Sequence, residues 1–220
     1  ANGVEWDKKV THGKLDNGLS YILYDSKRAD EPFNIRLVVH AGSVDEEIPR
    51  GTAHILEHMV FQSTQAHPET LHTYFQKLGW RTGVQINAVT REAETQYMVR
   101  TRPNDALDVE GSLALVADMA FGAKLLAEDW DKERFVILEE LRLDNKVAER
   151  INRQKKELLR AGSRYVDRPT IGTREGIEAT TIADIKAFYD SYYVASNMTL
   201  IVSGRIDAAS TEKAIIRLFG

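Results

Sequence analysis

The chain has no cysteine among its 220 residues. That excludes a disulfide framework and every zinc site with a thiolate ligand, and it fits a reducing or an oxidising compartment equally. Excess of one charge is also missing. Lys and Arg number 29 against 33 Asp and Glu, for a net charge of -4, and the basic residues are dispersed among the acids. A nucleic-acid partner is therefore not expected. No apolar run approaches the roughly 20 residues of a membrane-spanning helix, so no membrane span is expected. Nor is there a Gly-x-Ser-x-Gly elbow, which argues against a serine hydrolase of that type. Without a stretch rich in Gly, Pro or Ser there is no linker. A single domain over residues 1–220 is expected, with residues 1–8 as an extended lead-in.

What is present begins with a turn. Asp16-Asn17-Gly18 separates Val10 to Leu15 from Leu19 to Tyr24, the Asn-Gly signal of a β-hairpin. The β-branched run Ile35 to His40 reads as a strand, followed by the acidic loop Asp45-Glu46-Glu47. Helices are expected from Thr52 to Ser63 and from Pro68 to Leu78, where Gly79 stops the second. Strands follow at Val84 to Val89 and Glu94 to Arg100, then a helix from Asp105 whose Leu107, Leu113, Val116, Met119 and Ala120 form a core stripe. Further helices are expected from Trp130 to about Ala148, on to Arg160, from the Thr181 cap to Tyr192, and from Ser210. A strand at Met198 to Val202 precedes the last of these. Strands and helices come in groups, which defines an α+β class with helices packed mainly on one face of a sheet. His40, His67 and His72 are read as ordinary strand or solvent-facing residues.

The chemistry is concentrated in Gly51-Thr52-Ala53-His54-Ile55-Leu56-Glu57-His58-Met59-Val60-Phe61. At about 100° per residue, His54 and His58 lie about 40° apart on one helical face, one turn above the other. Two imidazoles so placed can bind one metal, and His-x-x-Glu-His is the inverted form of the zinc-peptidase motif. A catalytic zinc site needs a third protein ligand, which here must be a carboxylate or another histidine. In the helix after Trp130, Glu133, Val136, Glu140, Leu143 and Val147 share a mostly apolar stripe, whereas Phe135, Glu139, Arg142 and Lys146 share a charged one. A carboxylate on a packed face needs a metal or ionic partner to offset its desolvation. Glu140 is accordingly the expected ligand, Glu133 a supporting acid, and Glu139 a solvent-side ion-pair residue.

These residues, with Asn87-Ala88-Val89-Thr90, Glu133-Arg134, Glu140 and the segment Tyr192 to Gly204, resemble the pitrilysin/insulinase family of zinc peptidases over nearly the whole chain. The resemblance implies a mixed sheet of the mitochondrial processing peptidase-like metallohydrolase fold and one Zn2+ per domain held by His54, His58 and Glu140. It implies Glu57 as the catalytic base, Glu133 as a supporting catalytic acid, and Asn87 and Ala88 as contacts for a peptide substrate added to a strand edge. It also implies a homologous C-terminal half or partner subunit that completes the substrate site. The long approach to Asn87 (Gly79-Trp80-Arg81-Thr82-Gly83) is similar to the bacterial envelope branch, pointing to a periplasmic rather than cytoplasmic location. Lyases that share the inverted motif complete it with cysteine and are excluded. A non-catalytic scaffold or assembly subunit of the same fold is the competing expectation, although the motif here is intact.

Overall fold

The computed structural model describes residues 5–48, 50–102, 105–145, 147–161, 164 and 168–220, without the side chains of 147 and 148. The hairpin forms as its turn dictates. Strands β1 (Val10–Lys14) and β2 (Ser20–Asp25) pair antiparallel, Asn17 accepts the Leu19 amide proton, and Gly18 takes φ +94°. Strands β3 (Phe33–Val39), β4 (Ile86–Thr90), β5 (Thr95–Thr101) and β6 (Met198–Gly204) complete one six-stranded sheet of order β1-β2-β6-β3-β5-β4. Among the described strand ladders only β2-β6 is parallel, so the sheet is mixed, and β4 is a terminal strand laddered to β5, with one further bridge from Ile86 to Thr82.

The strands bury alternate residues, as the two-residue period requires. In β6, Met198, Leu200, Val202 and Gly204 are buried while the residues between them are half-buried. Against the buried face pack helices α1 (Thr52–Val60), α3 (Val109–Phe121) and α8 (Ala208–Phe219), with α4 (Ala127–Asp144) and α7 (Ile182–Tyr192) beside α1 and α6 (Arg174–Ala179) on α4. Helices α2 (Leu71–Leu78) and α5 (Val147–Leu159) lie outside this group. The fold is thus α+β with a helical layer on a mixed sheet. Residues 8–9 turn into β1, and residues 1–4 of the expected lead-in lie outside the described residues.

Several boundaries differ from expectation for reasons of capping. Helix α1 ends at Val60 rather than Ser63, because Ser63 and Thr64 turn away to bond Asp129 and Asp118. Pro68 precedes α2, whose N-cap is Thr70, accepting from the Thr73 amide. Asp105 is occupied by Thr101, so the next helix starts only after Asp108, which accepts from Gly111. Helix α4 starts three residues early, at Ala127, and closes at Asp144. Helix α8 starts at Ala208 behind the Asp207 cap rather than at Ser210. Helix α6, capped by Thr173, is unforeseen. The Thr181 capping box forms as expected.

Candidate metal centre

Helix α1 is the central helix of the layer, and its first turn has no side-chain cap of its own, since Gly51 occupies that position with φ +101°. The missing acceptors come from Glu46. One of its carboxylate oxygens accepts the Gly51 amide proton at 2.6 Å and the other that of Ala53 at 3.0 Å. Glu46 is only 1% exposed. Burial pushes its carboxyl up to about 7, against the opposing pull of the two amide bonds and of Arg168 and Arg50. Two buried donors at the helix N-terminus are thereby satisfied, and the start of the motif is fixed.

One turn on, His54 and His58 project from the same face, their ring centroids 4.7 Å apart and nearly perpendicular at 78°. Glu140 arrives from α4. Its carboxylate lies 3.5 Å from His54 Nε2 and 3.1 Å from His58 Nε2, and one ligand atom from each of the three residues falls within 4.8 Å of the others. For an ion bound tetrahedrally at 2.0–2.1 Å, ligand-to-ligand edges are about 3.3 Å. The donor set and both measured edges therefore fit a divalent cation of the zinc type. Glu133, two turns before Glu140 on the same stripe of α4, accepts from His58 Nδ1 at 2.8 Å, which leaves Nε2 as the nitrogen that can offer a lone pair. His54 Nδ1 is buried with no hydrogen-bond partner among the described residues, so Nε2 is again the nitrogen turned to the cluster.

The electrostatics follow from burial and from the carboxylates. Desolvation, aided by the neighbouring His58, depresses the His54 imidazole. Burial depresses His58 as well, but its bonds to Glu133 and Glu140 and their charges override this and lift it to about 9. The bond to His58 holds Glu140 below the ordinary carboxylate range, against partial desolvation. Burial raises Glu57, opposed in part by Thr90, whose hydroxyl donates to the Glu57 carboxylate. Thr90 closes β4, so the edge strand and the acidic residue of the motif are in direct contact.

A cleft of about 510 Å³ connects these groups, with His54, Glu57 and Glu140 at one end, Ala88 to Thr90 along one wall, and α5 on the other. The Ala88 amide is not given to β5; it donates to Asn87 Oδ1 at 3.0 Å. The strand edge thus carries an outward donor beside the cluster.

Every candidate from the motif is brought together here: His54, His58, Glu57, Glu133 and Glu140, with Asn87 and Ala88 on the adjoining edge. The packing expected of the α4 stripe is not observed. Val136 is 52% exposed and Leu143 50%, and the Glu140 side chain is 46% exposed. The buried face of α4 is instead that of Trp130, Ile137 and Leu141. Glu140 is therefore near the histidines by position, not because it is enclosed in a core. Glu139 does lie outside, bonded to Arg142 at 2.6 and 2.8 Å. Lys146 lies outside the described residues. His67 is not solvent-facing: it stacks on Tyr74 with centroids 3.8 Å apart. His72 is exposed, and His40 bonds Thr199 at the surface. The contacts of Glu46, Thr90 and Gln62 have no counterpart in the sequence expectations. Of these only Gln62 carries a readable signal, being four residues beyond His58.

A six-stranded mixed sheet that holds an inverted His-x-x-Glu-His helix against a distant carboxylate is an arrangement shared with one family of proteins. The chain belongs to the insulinase family, peptidase family M16, which matches residues 21–173, and residues 179–220 match the M16 inactive domain. Among its relatives is the probable zinc protease PqqL of Escherichia coli, 34% identical over 94% of this chain and 23% of that protein. The crystal structure of the periplasmic protease PqqL from Escherichia coli superposes with a TM-score of 0.92 at 32% identity, covering 98% of this chain and 24% of the other. A mutant of the ferredoxin protease FusC, solved in complex with Arabidopsis ferredoxin, gives a TM-score of 0.90 at 40% identity over 95% and 23% of the two chains. The chain spans about a quarter of the length of these relatives. No helix among the described residues is long and apolar enough to cross a membrane.

Proposed function

We propose that this chain is the zinc-binding catalytic domain of an endopeptidase that hydrolyses peptide bonds in oligopeptides or unfolded polypeptides. The observation that carries the reading is the convergence of His54, His58 and Glu140, with Glu57 and a free strand edge on the same cleft. His54 Nε2, His58 Nε2 and the Glu140 carboxylate are the ligands, and Glu133 fixes the His58 tautomer. When bound, zinc supplies Lewis-acid polarisation of the scissile carbonyl and makes water more acidic. Glu57 takes the proton from the attacking water and passes it to the leaving nitrogen. Thr90, whose hydroxyl donates to the Glu57 carboxylate, keeps it turned into the cleft. A substrate backbone adds to β4 as an extra strand, where the Ala88 amide exchanges Asn87 Oδ1 for a substrate carbonyl.

Domain organisation follows from the same reading. The 220 residues form one domain, and a homologous second half contributes the remaining walls of the substrate site. The likeness to a periplasmic protease supports a periplasmic or cell-envelope location. The deciding experiment compares zinc content and cleavage of an internally quenched oligopeptide in the intact protein. Glu57→Gln is expected to keep zinc and lose cleavage, while His58→Ala loses both. Normal turnover by Glu57→Gln would overturn the assignment of the base.

A further inference from the structure

Four residues beyond His58, the side chain of Gln62 reaches the same carboxylate that His58 does. Glu133 Oε1 takes His58 Nδ1 at 2.8 Å, and Glu133 Oε2 takes Gln62 Nε2 at 3.1 Å. A carboxylate only accepts, so the amide nitrogen and not the amide oxygen must face it. His54, His58 and Gln62 are thus three successive rungs, each four residues on, although regular α1 ends at Val60. The third rung is held in place by the backbone: the Gln62 amide donates to the Met59 carbonyl at 3.1 Å, and the Gln62 carbonyl accepts from the Leu71 amide at 3.1 Å.

We infer that Gln62 is a positioning residue of the metal centre, setting the rotation of the Glu133 carboxylate so that His58 presents Nε2 to the ion. The inference rests on the metal-site reading above and extends it by one shell. Without the Gln62 donor, Glu133 keeps His58 Nδ1 on one oxygen but loses the second anchor that fixes its plane. The His58 ring then shares that freedom. Loss of such an outer partner typically weakens metal binding by about 10-fold to 100-fold. The neutral amide holds the carboxylate without cancelling its charge, which stays available to His58.

The test is zinc affinity of the intact protein, measured by competition with a chromophoric chelator, for the wild type, Gln62→Leu, Gln62→Glu and Gln62→Lys. Melting of each metal-free protein is recorded alongside. Gln62→Leu is expected to weaken zinc about 10-fold, and Gln62→Glu, which sets a like charge against Glu133, to weaken it further. Gln62→Lys restores a donor but cancels the carboxylate charge that His58 uses, so it should bind zinc no better than Gln62→Leu. All four metal-free proteins should melt within a few degrees of one another, which a purely structural role would not give. Wild-type affinity in Gln62→Leu would overturn the role of Gln62 alone. Absence of zinc binding by the wild type would overturn the metal-site reading and this inference with it.

Discussion

Replacing Glu46 by glutamine should change how the protein's stability depends on pH. The carboxyl is 1% exposed, and its titration is raised from 4.5 to about 7 because burial outweighs the two amide bonds and the nearby guanidinium groups. A raised folded-state value means that folding favours the protonated form. The contribution is fully present below the unfolded value of 4.5 and is lost as pH rises through about 7. At about 1.4 kcal/mol per tenfold change in proton affinity, the loss is on the order of 3 kcal/mol. Glutamine has nearly the same shape and does not titrate. Unfolding in urea of the metal-free proteins, so that metal loss at low pH does not enter, should show Glu46→Gln gaining about 3 kcal/mol on the wild type between pH 4.5 and 8. For a chain of this size that is about 6–12 °C in melting temperature. Parallel pH curves for the two proteins would refute the reasoning and mean that the α1 N-terminus holds the carboxylate ionised in the folded state throughout.

Other expectations follow from contacts at particular residues. Gly172 has φ +84°, and a Cβ there would lie 2.7 Å from the Gly51 Cα, so Gly172→Ala should destabilise by more than about 2 kcal/mol and loosen the start of α1, read by thermal melting. Ile137, fully buried on α4, should cost about 2–5 kcal/mol as alanine, whereas Val136→Ala on the exposed side should cost under about 1 kcal/mol. Ala88→Pro removes the outward amide at the strand edge; zinc content should be unchanged while peptide cleavage falls at least about 10-fold, the magnitude of a lost backbone hydrogen bond in a desolvated cleft. Thr90→Val, which keeps the branched shape but not the hydroxyl, should lower kcat more than it raises KM, and Thr90→Ser should restore it.

Local signals were strong enough to place most of the fold. Asn17-Gly18 marks its hairpin because Gly18 takes the left-handed conformation without a Cβ penalty and Asn17 accepts the Leu19 amide proton, and Thr181 with Asp184 marks its helix because the cap is closed within four residues. The metal motif is legible for the same reason, since His54, Glu57 and His58 depend only on helical spacing. The face that α4 buries was not legible. The expected stripe offers Val136, Leu143 and Val147 and the buried one Trp130, Ile137 and Leu141, so apolar content does not separate them, and the anchor is Trp130, whose indole donates to the Thr180 carbonyl and takes Arg134 over its ring. Glu140 is consequently at the cluster while its neighbours Val136 and Leu143 face outward. Glu46 gave no sign at all within its run of acids. Its amide partners lie five and seven residues on, a spacing that no capping-box pattern marks, and Arg164 and Arg168 donate to its carbonyl from more than a hundred residues away.

Zinc stoichiometry by elemental analysis, on the purified wild type and on Glu140→Gln after mild dialysis, tests the central claim most directly. The geometry of His54, His58 and Glu140 predicts about one zinc per wild-type chain and a clear loss in the variant. A wild type without zinc, or a variant that holds it as firmly as the wild type, would contradict it.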